Sequence, residues 1–414
     1  MKVFCGIDWA ERHHDVALVD GEGKLVAKRR IADSADGFAQ LTALLAEAGD
    51  SRDDPIPVAI ETPRGLLVAA LRETGRAIYA INPMAVARYR ERHTVSRKKS
   101  DHADAMVLAN ILRTDAHAHR PLPADSELVR AVAVLARAAQ DAVWRRTKAL
   151  QELRSLLREY YPSFLATFNR GEATNLASPE ARQILALAPT PAAGVKLTAA
   201  RIAAALRRAG RQRRITTLAD EIREGLRVPQ MRQLPLVEDA MGRQALALLS
   251  TLNTECANAE QLGQAAIAAF TRHPDHRVIT SFPGMGDLSG ARLLAEIGDD
   301  RSRFTDARGL KAYAGSAPVT RASGRSIAIT RRTIKNDRLN TVGFLWAFAA
   351  IPRPGPSKEH YDNRRARGDR HAAALRHLFN RMLGQLHHCL QTGQAYDPIK
   401  AFGPAAEHAA VSTA

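Results

Sequence analysis

Three short β-rich runs at the start of the chain constrain its fold more than any other feature. They cover residues 4–10, 14–19 and 24–31, and turn residues such as Gly21 and Gly23 separate the last two. Short apolar runs divided by turn residues are typical of an antiparallel meander. The sequence therefore predicts that the chain begins with three antiparallel strands.

The segments after this meander alternate between helix and strand. Residues 36–48 have helical spacing, short strands are predicted at 56–61 and 76–81, and a helix follows each of these strands. Three antiparallel strands followed by alternating helices and strands is the element order of an RNase H-like α/β fold. We predict this fold for the first domain, residues 1–120.

Four acidic residues in this domain stand where a carboxylate suits chemistry. Asp8 lies within the first predicted strand, Glu61 ends a later one, and Asp101 and Asp104 open a helix after the basic segment 88–99. A carboxylate in a strand is costly to bury unless it is paired or binds a cation. Oxygen ligands suit hard cations, so the four together predict a site for two Mg²⁺ ions about 4 Å apart, with Mn²⁺ as a substitute.

Each acid also has a simpler interpretation. Asp8 can face solvent on an edge strand, and Asp101 with Asp104 can complement the dipole at a helix start. What favours a metal site is the occurrence of all four in one predicted domain.

The middle of the chain, residues 121–275, has the pattern of long helices. Residues 125–161 and 237–270 each carry a narrow apolar stripe with spacings of three, four or seven. Such helices are typical of coiled-coil linkers and oligomerisation arms. Packing of the two helices against each other within one chain is the alternative.

Positive charge is concentrated toward the C-terminal end. The 414 residues carry a formal net charge of +17, and residues 276–414, with 21 Lys and Arg against 11 Asp and Glu, contribute +10 of it. A basic excess in one part of a chain favours a polyanionic partner, most simply nucleic acid. We therefore expect the last third of the chain to contact such a partner.

The composition argues against several classes of protein. There is no run of about 18 uncharged apolar residues, so no membrane span is expected, and residues 1–4 lead into a strand without a signal-peptide pattern. The three cysteines, Cys5, Cys256 and Cys389, are far apart and predict neither a disulfide framework nor a zinc site. We expect a cytoplasmic protein with two or three domains.

A glycine-rich turn marks the last predicted domain, residues 276–400. Gly284 and Gly286 flank Met285 ahead of a predicted helix at 288–297. This pattern is typical of a helix-hairpin-helix, in which the N–H groups at a helix start contact a DNA phosphate. A plain turn between two helices is the alternative.

Ser323 lies in a basic segment of the same domain. Arg321 and Arg325 flank it, and Gly324 follows it. A nucleophilic serine needs activation and a stabilised transition state, and flanking arginines can grip a phosphate. From the spacing alone, a serine-glycine pair in the turn of a basic hairpin is the simpler interpretation.

Taken together, these motifs resemble the insertion-sequence 110 family of DEDD transposases. The phrases that carry the resemblance are GIDWA, ETPRG, KKSDHADA, FPGMGDLSGARLLAEIGD, RFTDARGLKAYAGSAP and RASGRS. They span nearly the whole chain except its middle, while residues 401–414 are expected to be a disordered tail.

The resemblance implies a RuvC-like first domain, a coiled-coil middle and a C-terminal transposase domain. It implies a recombinase that a structured bridge RNA guides to donor and target DNA, and that assembles as a tetramer of two dimers. In this chain, Asp8, Glu61, Asp101 and Asp104 would bind Mg²⁺, and Ser323 would form a covalent phosphoserine link to cleaved DNA. The residues expected to contact nucleic acid are Gly284, Gly286, Arg321, Arg325 and Lys335.

The sequence departs from the family pattern at two places. Gly315-Ser316-Ala317-Pro318 stands for a usual Gly-Leu-Ala-Pro, which makes Ser316 a competing nucleophile. Lys335-Asn336-Asp337-Arg338 stands where many members carry Lys-x-Gly-Asn, so the following turn is expected to differ.

Two other functions use the same residues. A metal-dependent nuclease of the Holliday-junction-resolvase type would share the four acids but release free ends by water attack. A non-catalytic nucleic-acid-binding protein would need none of them. Formation of a covalent adduct that depends on Ser323 distinguishes the recombinase from both.

Overall fold

The chain forms two compact units, residues 1–124 and residues 125–414. The computed structural model describes residues 2–93, 101–170, 173–324 and 326–402. The first unit holds a mixed sheet with helices and the second is mainly helical. The expected class, an α/β domain followed by a mainly helical region, is confirmed. The finer division with boundaries after residues 120, 275 and 400 stays a prediction.

A five-stranded sheet forms the centre of the first unit. Its strands are β1 (Phe4–Trp9), β2 (His13–Val19), β3 (Leu25–Ala32), β4 (Val58–Ile60) and β5 (Ile78–Ala80). They lie in the order β3-β2-β1-β4-β5. β1, β2 and β3 are antiparallel, whereas β4 pairs parallel with β1 and β5 parallel with β4. The predicted meander followed by alternating helices and strands is therefore present, with β4 and β5 shorter than expected.

Helices cover both faces of this sheet. They are α1 (Ala35–Glu47), α2 (Leu66–Glu73), α3 (Pro83–His93) and α4 (Asp101–Asp115). On one face, Ile7 and Val58 pack with residues of α1 and α2. On the other face, Phe4 and Ala59 pack with residues of α3 and α4. Alternate side chains of each strand therefore enter two different cores.

The second unit contains helices α5–α18 and two small hairpins. The first helices are α5 (Glu127–Tyr160), α6 (Pro162–Thr167), α7 (Pro179–Leu187), α8 (Pro191–Val195), α9 (Ala199–Arg208), α10 (Ile215–Arg227) and α11 (Pro235–Phe270). The later helices are α12 (His276–Thr280), α13 (Asp287–Ile297), α14 (Ala307–Tyr313), α15 (Asp337–Ala350), α16 (Pro356–Ala366), α17 (His371–Thr392) and α18 (Pro398–Phe402). The hairpins pair β6 (Asn169–Arg170) with β7 (Ala173–Thr174), and β8 (Val319–Ser323) with β9 (Ser326–Thr330).

The two long helices, α5 and α11, pack against each other in antiparallel fashion within the chain. Val132 of α5 shares a core with Phe270 of α11, and Leu153 of α5 shares a second core with Leu249 of α11. The first core also contains α13, α15 and α17, while the second contains α6, α7, α9 and α10. Packing within one chain, one of the two alternatives for the apolar stripes, is therefore observed.

Two further expectations concern membrane-spanning helices and the C-terminal tail. No helix among the described residues is long and apolar enough to span a membrane. The tail expected to be disordered, residues 401–414, lies outside the described residues from 403 onward.

Candidate active site

Asp8 and Glu61 lie at one edge of the sheet. β1 and β4 are parallel neighbours with Ile7 opposite Ile60, so the next residue of each strand, Asp8 or Glu61, follows at the same level. Adjacent positions at one level of a sheet project to the same face. Both side chains are half-buried. The strand topology therefore brings together two carboxylates that are 53 positions apart in the sequence.

Gly6 allows α4 to cross β1 at close range on this face. A Cβ atom on Gly6 would lie 2.0 Å from the carbonyl oxygen of Ala105 and 2.4 Å from the amide nitrogen of Ala109. Because side chains alternate along a strand, Asp8 projects toward α4 as Gly6 does. Only glycine permits this separation between the strand and the helix backbone.

Helix α4 runs antiparallel to β1. Arg113, near its C-terminal end, donates to the carbonyl of Gly21, which lies close to the start of β1 because Val19 pairs with Phe4. The N-terminal end of α4 is therefore at the end of β1, next to Asp8.

Asp104 occupies this N-terminal end of α4. Its side chain is 9% exposed and forms an ion pair with Arg90 of α3. Asp101 begins α4, but its side chain lies outside the described part of the chain. The fold thus brings Asp8, Glu61 and Asp104 to one edge of the sheet. Asp101 begins the helix that carries Asp104.

The donor chemistry of this edge suits a hard divalent cation. Asp8, Glu61 and Asp104 offer carboxylate oxygens, which Mg²⁺ and Mn²⁺ prefer. Cys5 of β1 is no competing ligand, because burial raises the pKa of its thiol to about 12. Within the described ranges, no three His, Cys, Asp or Glu side chains are close enough together to hold a metal ion. In this structure the charge of the Asp104 carboxylate is compensated by Arg90.

Asp15 is a carboxylate at this edge that the sequence reasoning missed. It lies on β2 directly opposite Asp8, so both side chains project to the same face. Asp15 is 2% exposed and accepts hydrogen bonds from Arg30 Nε at 3.1 Å and Nη2 at 2.7 Å. The sequence contains one indication of it. Asp15 is an acidic residue in the apolar run of β2, at the position that pairs with Asp8 when β1 and β2 form a hairpin.

Ser323 lies at the turn of an exposed hairpin in the second unit. β8 ends at Ser323, which pairs with Ser326 at the start of β9. Gly324 has φ of +55°, a left-handed conformation that suits glycine. Arg321 is exposed and projects to the same face as Ser323, whereas Arg325 lies outside the described residues. The hairpin turn expected from the serine-glycine spacing is confirmed.

Ser316, the competing nucleophile, is in a different environment. It is fully buried, and its hydroxyl donates to Asn380 Oδ1 at 3.0 Å, with the carbonyl of Lys311 at 3.3 Å. A hydroxyl enclosed in this way has no room for a phosphate. Its environment therefore indicates a structural role.

Lys335 is partly enclosed by its neighbours. A Cβ atom on Gly315 would lie 2.2 Å from Lys335 Cδ, and Gly315 has φ of +72°. The ammonium group donates to Asp337 Oδ1 at 2.6 Å. Lys335 is therefore held by a packed stem and an ion pair, with 19% of its side chain exposed.

Asn336 starts helix α15. Its side chain accepts the N–H of Leu339 and donates to Glu296 Oε2 and Tyr313 Oη, each at 2.7 Å. An asparagine that caps a helix in this way is a common start signal. The Lys-Asn-Asp-Arg segment thus begins a helix.

The two glycines of the predicted DNA-contacting turn differ in accessibility. Gly284 has φ of +76°, and a Cβ atom on it would lie 2.6 Å from the backbone of Ala349 and Ala350. Gly286 is the exposed N-cap of α13, with open space where a Cβ atom would be. Gly284 therefore allows the turn to pack closely against α15, whereas Gly286 is open to an approaching ligand.

Comparisons with known proteins give matches at both ends of the chain. A DEDD transposase profile of IS110 type matches residues 5–162. A profile described as the transposase IS116/IS110/IS902 family matches residues 276–362. The two matches cover the unit with the carboxylates and the segment with Ser323.

Whole-chain relatives extend these matches. The chain is 60% identical over 410 residues, 99% of each sequence, to the mini-circle transposase candidate for IS117 from Streptomyces coelicolor. It is 28% identical over 95% of each sequence to an IS110 insertion-element protein of the same organism.

The solved structure of T. thermophilus RuvC in complex with a Holliday junction substrate is also similar to part of the chain. It is 20% identical, covers 30% of this chain and all of that one, and has a TM-score of 0.23. So low a TM-score carries no weight for the fold or the function of this chain.

Proposed function

Because the chain belongs to the IS110 family of transposases, we propose that it exchanges DNA strands through a covalent phosphoserine link on Ser323. Transposases are DNA recombination enzymes, so donor and target DNA are its substrates. The proposal rests chiefly on Asp8, Glu61 and Asp104 lying at one edge of the sheet. Carboxylates placed in this way can hold divalent cations, which stabilise the charge that develops in a reaction at phosphorus.

Asp8, Glu61 and Asp104, with Asp101, would hold the cations, Mg²⁺ or Mn²⁺. Bound there, the cations would neutralise the charge that develops on the phosphate and favour loss of the serine proton. Asp15 would position Asp8, since it lies opposite on the same face and Arg30 keeps its charge compensated.

Ser323 suits the role of nucleophile better than Ser316. Its hydroxyl is exposed beside Arg321, whose guanidinium can grip a phosphate, while the hydroxyl of Ser316 is buried and hydrogen-bonded. The glycine after Ser323 removes a side chain that would hinder the approach of DNA.

The reaction conserves the energy of the phosphodiester. The Ser323 oxygen forms a bond to phosphorus, the bond from phosphorus to one deoxyribose oxygen breaks, and the serine proton goes to that leaving oxygen. In the second step a hydroxyl of the other DNA attacks the same phosphorus and releases the serine. No bond energy is lost, so strands can be rejoined without a cofactor such as ATP.

Sequence choice and assembly complete the proposal. By family resemblance, a bridge RNA would pair with donor and target DNA, and the basic protein would recognise backbone and shape. Gly286 and the exposed Arg321, with Arg325 and Lys335, would serve the backbone contacts, and Gly284 would shape the turn that presents Gly286. By the same resemblance, a tetramer in which one copy's acids meet another copy's serine would complete the site.

The proposal is tested by searching for the covalent link. The protein is purified with RNA expressed from the flanking non-coding DNA and incubated with donor and target duplexes and Mg²⁺. A denaturing gel then reports any protein–DNA adduct for the wild type, for Ser323→Ala and for Asp8→Asn. We expect an adduct that needs Ser323, Asp8, Mg²⁺ and the RNA.

Ser316→Ala is a matched control for the loss of a serine hydroxyl in the same domain, and we expect it to keep the adduct. Cleavage with free ends that survives Ser323→Ala would refute the proposal. That result would leave a metal-dependent nuclease of the resolvase type.

A further inference from the structure

A cavity of about 690 Å³ lies in the second unit, and no described residue of the hairpin that carries Ser323 lines it. Its walls are α14, α17 and the C-terminal segment, residues 394–401. A volume of several hundred Å³ is the size of natural small-ligand pockets. Nothing in the proposed strand-exchange chemistry uses this space.

The wall is strongly basic. Lys311, Arg381 and Lys400 line it, with Asp397 as the one carboxylate among the lining residues. Asp397 Oδ1 already accepts the N–H groups of Ile399 at 2.9 Å and of Lys400 at 3.3 Å, so it caps α18. The cavity therefore has an excess of positive charge and favours an anion.

The C-terminal wall is fixed in position by α17. The carbonyl of Ala401 accepts from Arg381 Nη2 at 3.0 Å and from Gln385 Nε2 at 2.9 Å. The Arg381 guanidinium also lies 4.5 Å from the ring centroid of Phe402. The cavity is thus part of the folded structure. Arg381 both holds the C-terminal segment in place and lines the cavity.

A further feature points to a ligand with a ring as well as a phosphate. Tyr396 lines the cavity, and Phe282 supports its ring at a centroid distance of 4.6 Å. An aromatic ring fixed in this way offers a surface on which a base can stack.

We propose that this cavity binds a nucleotide. Its phosphate lies among Lys311, Arg381 and Lys400, and its base stacks on Tyr396. The same chemistry is offered by a free nucleotide and by an unpaired nucleotide of a DNA strand. The site is independent of the phosphoserine mechanism, since none of its residues belongs to the proposed active site.

Photo-crosslinking to the full chain tests this site, because the readout gives a position and so excludes binding elsewhere on a basic protein. One arm uses free 8-azido-AMP. The other uses a single-stranded DNA carrying one 5-iodouracil. Mass spectrometry then locates the crosslinked peptide, and competition with inorganic phosphate reports whether the phosphate alone binds.

Two variants remove different properties of the cavity. Lys311→Ala removes a charge from the wall. Gly384→Leu fills the space and keeps every charge, and the atoms it displaces are the flexible end of Lys311, whose Nζ would lie 2.7 Å from a Cβ atom on Gly384. Lys148→Ala is the matched control, since Lys148 is exposed on α5 and does not line the cavity.

We expect crosslinks within residues 381–401 that fall about tenfold in Lys311→Ala and in Gly384→Leu but not in Lys148→Ala, because a charge-assisted contact is lost or the space is filled. Crosslinks there from both probes, or from 8-azido-AMP alone, identify a free-nucleotide site. Crosslinks there from the DNA probe alone identify a site for an unpaired strand nucleotide. Crosslinks that map elsewhere, or that persist in both variants, overturn the proposal. If Gly384→Leu fails to fold, Lys311→Ala still decides the outcome.

Discussion

The carboxylate edge and the Ser323 hairpin are built in opposite ways. Asp8 lies near the end of β1 and Glu61 directly follows β4, its neighbour in a five-stranded sheet, while Asp104 is in the first turn of a helix that packs directly on that sheet. The hairpin consists of two strands paired only with each other, and Ile327 and Ile329 on it are each 70% exposed. A lone two-stranded hairpin is marginally stable in water.

The carboxylates are therefore preorganised, whereas the hairpin that carries Ser323 can adapt to a partner. The carboxylates are held on strand and helix backbones that form when the first unit folds, so we expect a bound cation to move their side chains and leave the backbone in place. The serine sits on an element whose shape depends on what contacts it, which suits a group that must meet DNA. Four pairs of variants test this contrast, and they follow from the largest expected effect to the smallest.

Asp8→Asn should have the largest effect. It keeps the shape of the side chain and removes the charge that would bind a cation, so we expect strand cleavage to slow by about 10³-fold, roughly 4 kcal/mol of transition-state stabilisation. Single-turnover cleavage of a labelled duplex measures this. Asp36→Asn, on the exposed start of α1, is the control and should be unchanged. Similar loss in both variants would contradict a specific role for Asp8.

Gly6→Ala tests whether backbone packing sets the position of the acids. The added methyl group would overlap the backbone of α4, so we expect the free energy of unfolding to fall by about 2–4 kcal/mol. Urea denaturation of the full chain measures this. Gly21→Ala meets open space and should change stability by less than about 0.5 kcal/mol. Equal values for the two variants would show that α4 does not depend on the close approach.

Arg90→Ala tests the competition between the ion pair and a cation for Asp104. Removing the guanidinium leaves the carboxylate available, so we expect Mn²⁺ to bind DNA-free protein about tenfold more tightly. Isothermal titration calorimetry measures the affinity. Arg92→Ala is the matched control, because Arg92 lies two positions further along α3 and pairs with Asp115 instead. A similar change in both variants would indicate only the loss of one positive charge.

Ile329→Thr should have the smallest effect. The side chain is 70% exposed, so we expect the free energy of unfolding to change by less than about 0.5 kcal/mol. The same substitution at Ile7, which is fully buried in β1, should cost more than about 2 kcal/mol because it leaves a cavity and buries a hydroxyl. Urea denaturation compares the two, and a large loss at Ile329 would show that the hairpin is packed after all.

The sequence was most informative where local pattern decides structure. The strands β1–β3 and the helices α5 and α11 lie within a few residues of the predicted ranges, since turn residues and apolar periodicity mark them directly. It was least informative in residues 162–196, where short helices depend on contacts with α5, α11 and one another. Local propensity alone does not define such helices.

The residues of the candidate site also differ in how far the sequence predicts them. Asp8 and Glu61 were recognisable because each interrupts or ends an apolar run, but Asp15 became visible only through its register with Asp8. The partner of Asp104, Arg90, also depends on how α3 and α4 pack. For the serines, spacing left Ser316 and Ser323 open, and burial distinguishes them.

The most direct test of the phosphoserine mechanism is to locate the DNA on the protein. The adduct formed with donor and target DNA, RNA and Mg²⁺ is digested with nuclease and trypsin, and tandem mass spectrometry identifies the residue that carries the nucleotide. We expect the nucleotide on Ser323 and the peptide with Ser316 unmodified. A nucleotide on Ser316 or on any other residue, or cleaved DNA without an adduct, would contradict the mechanism.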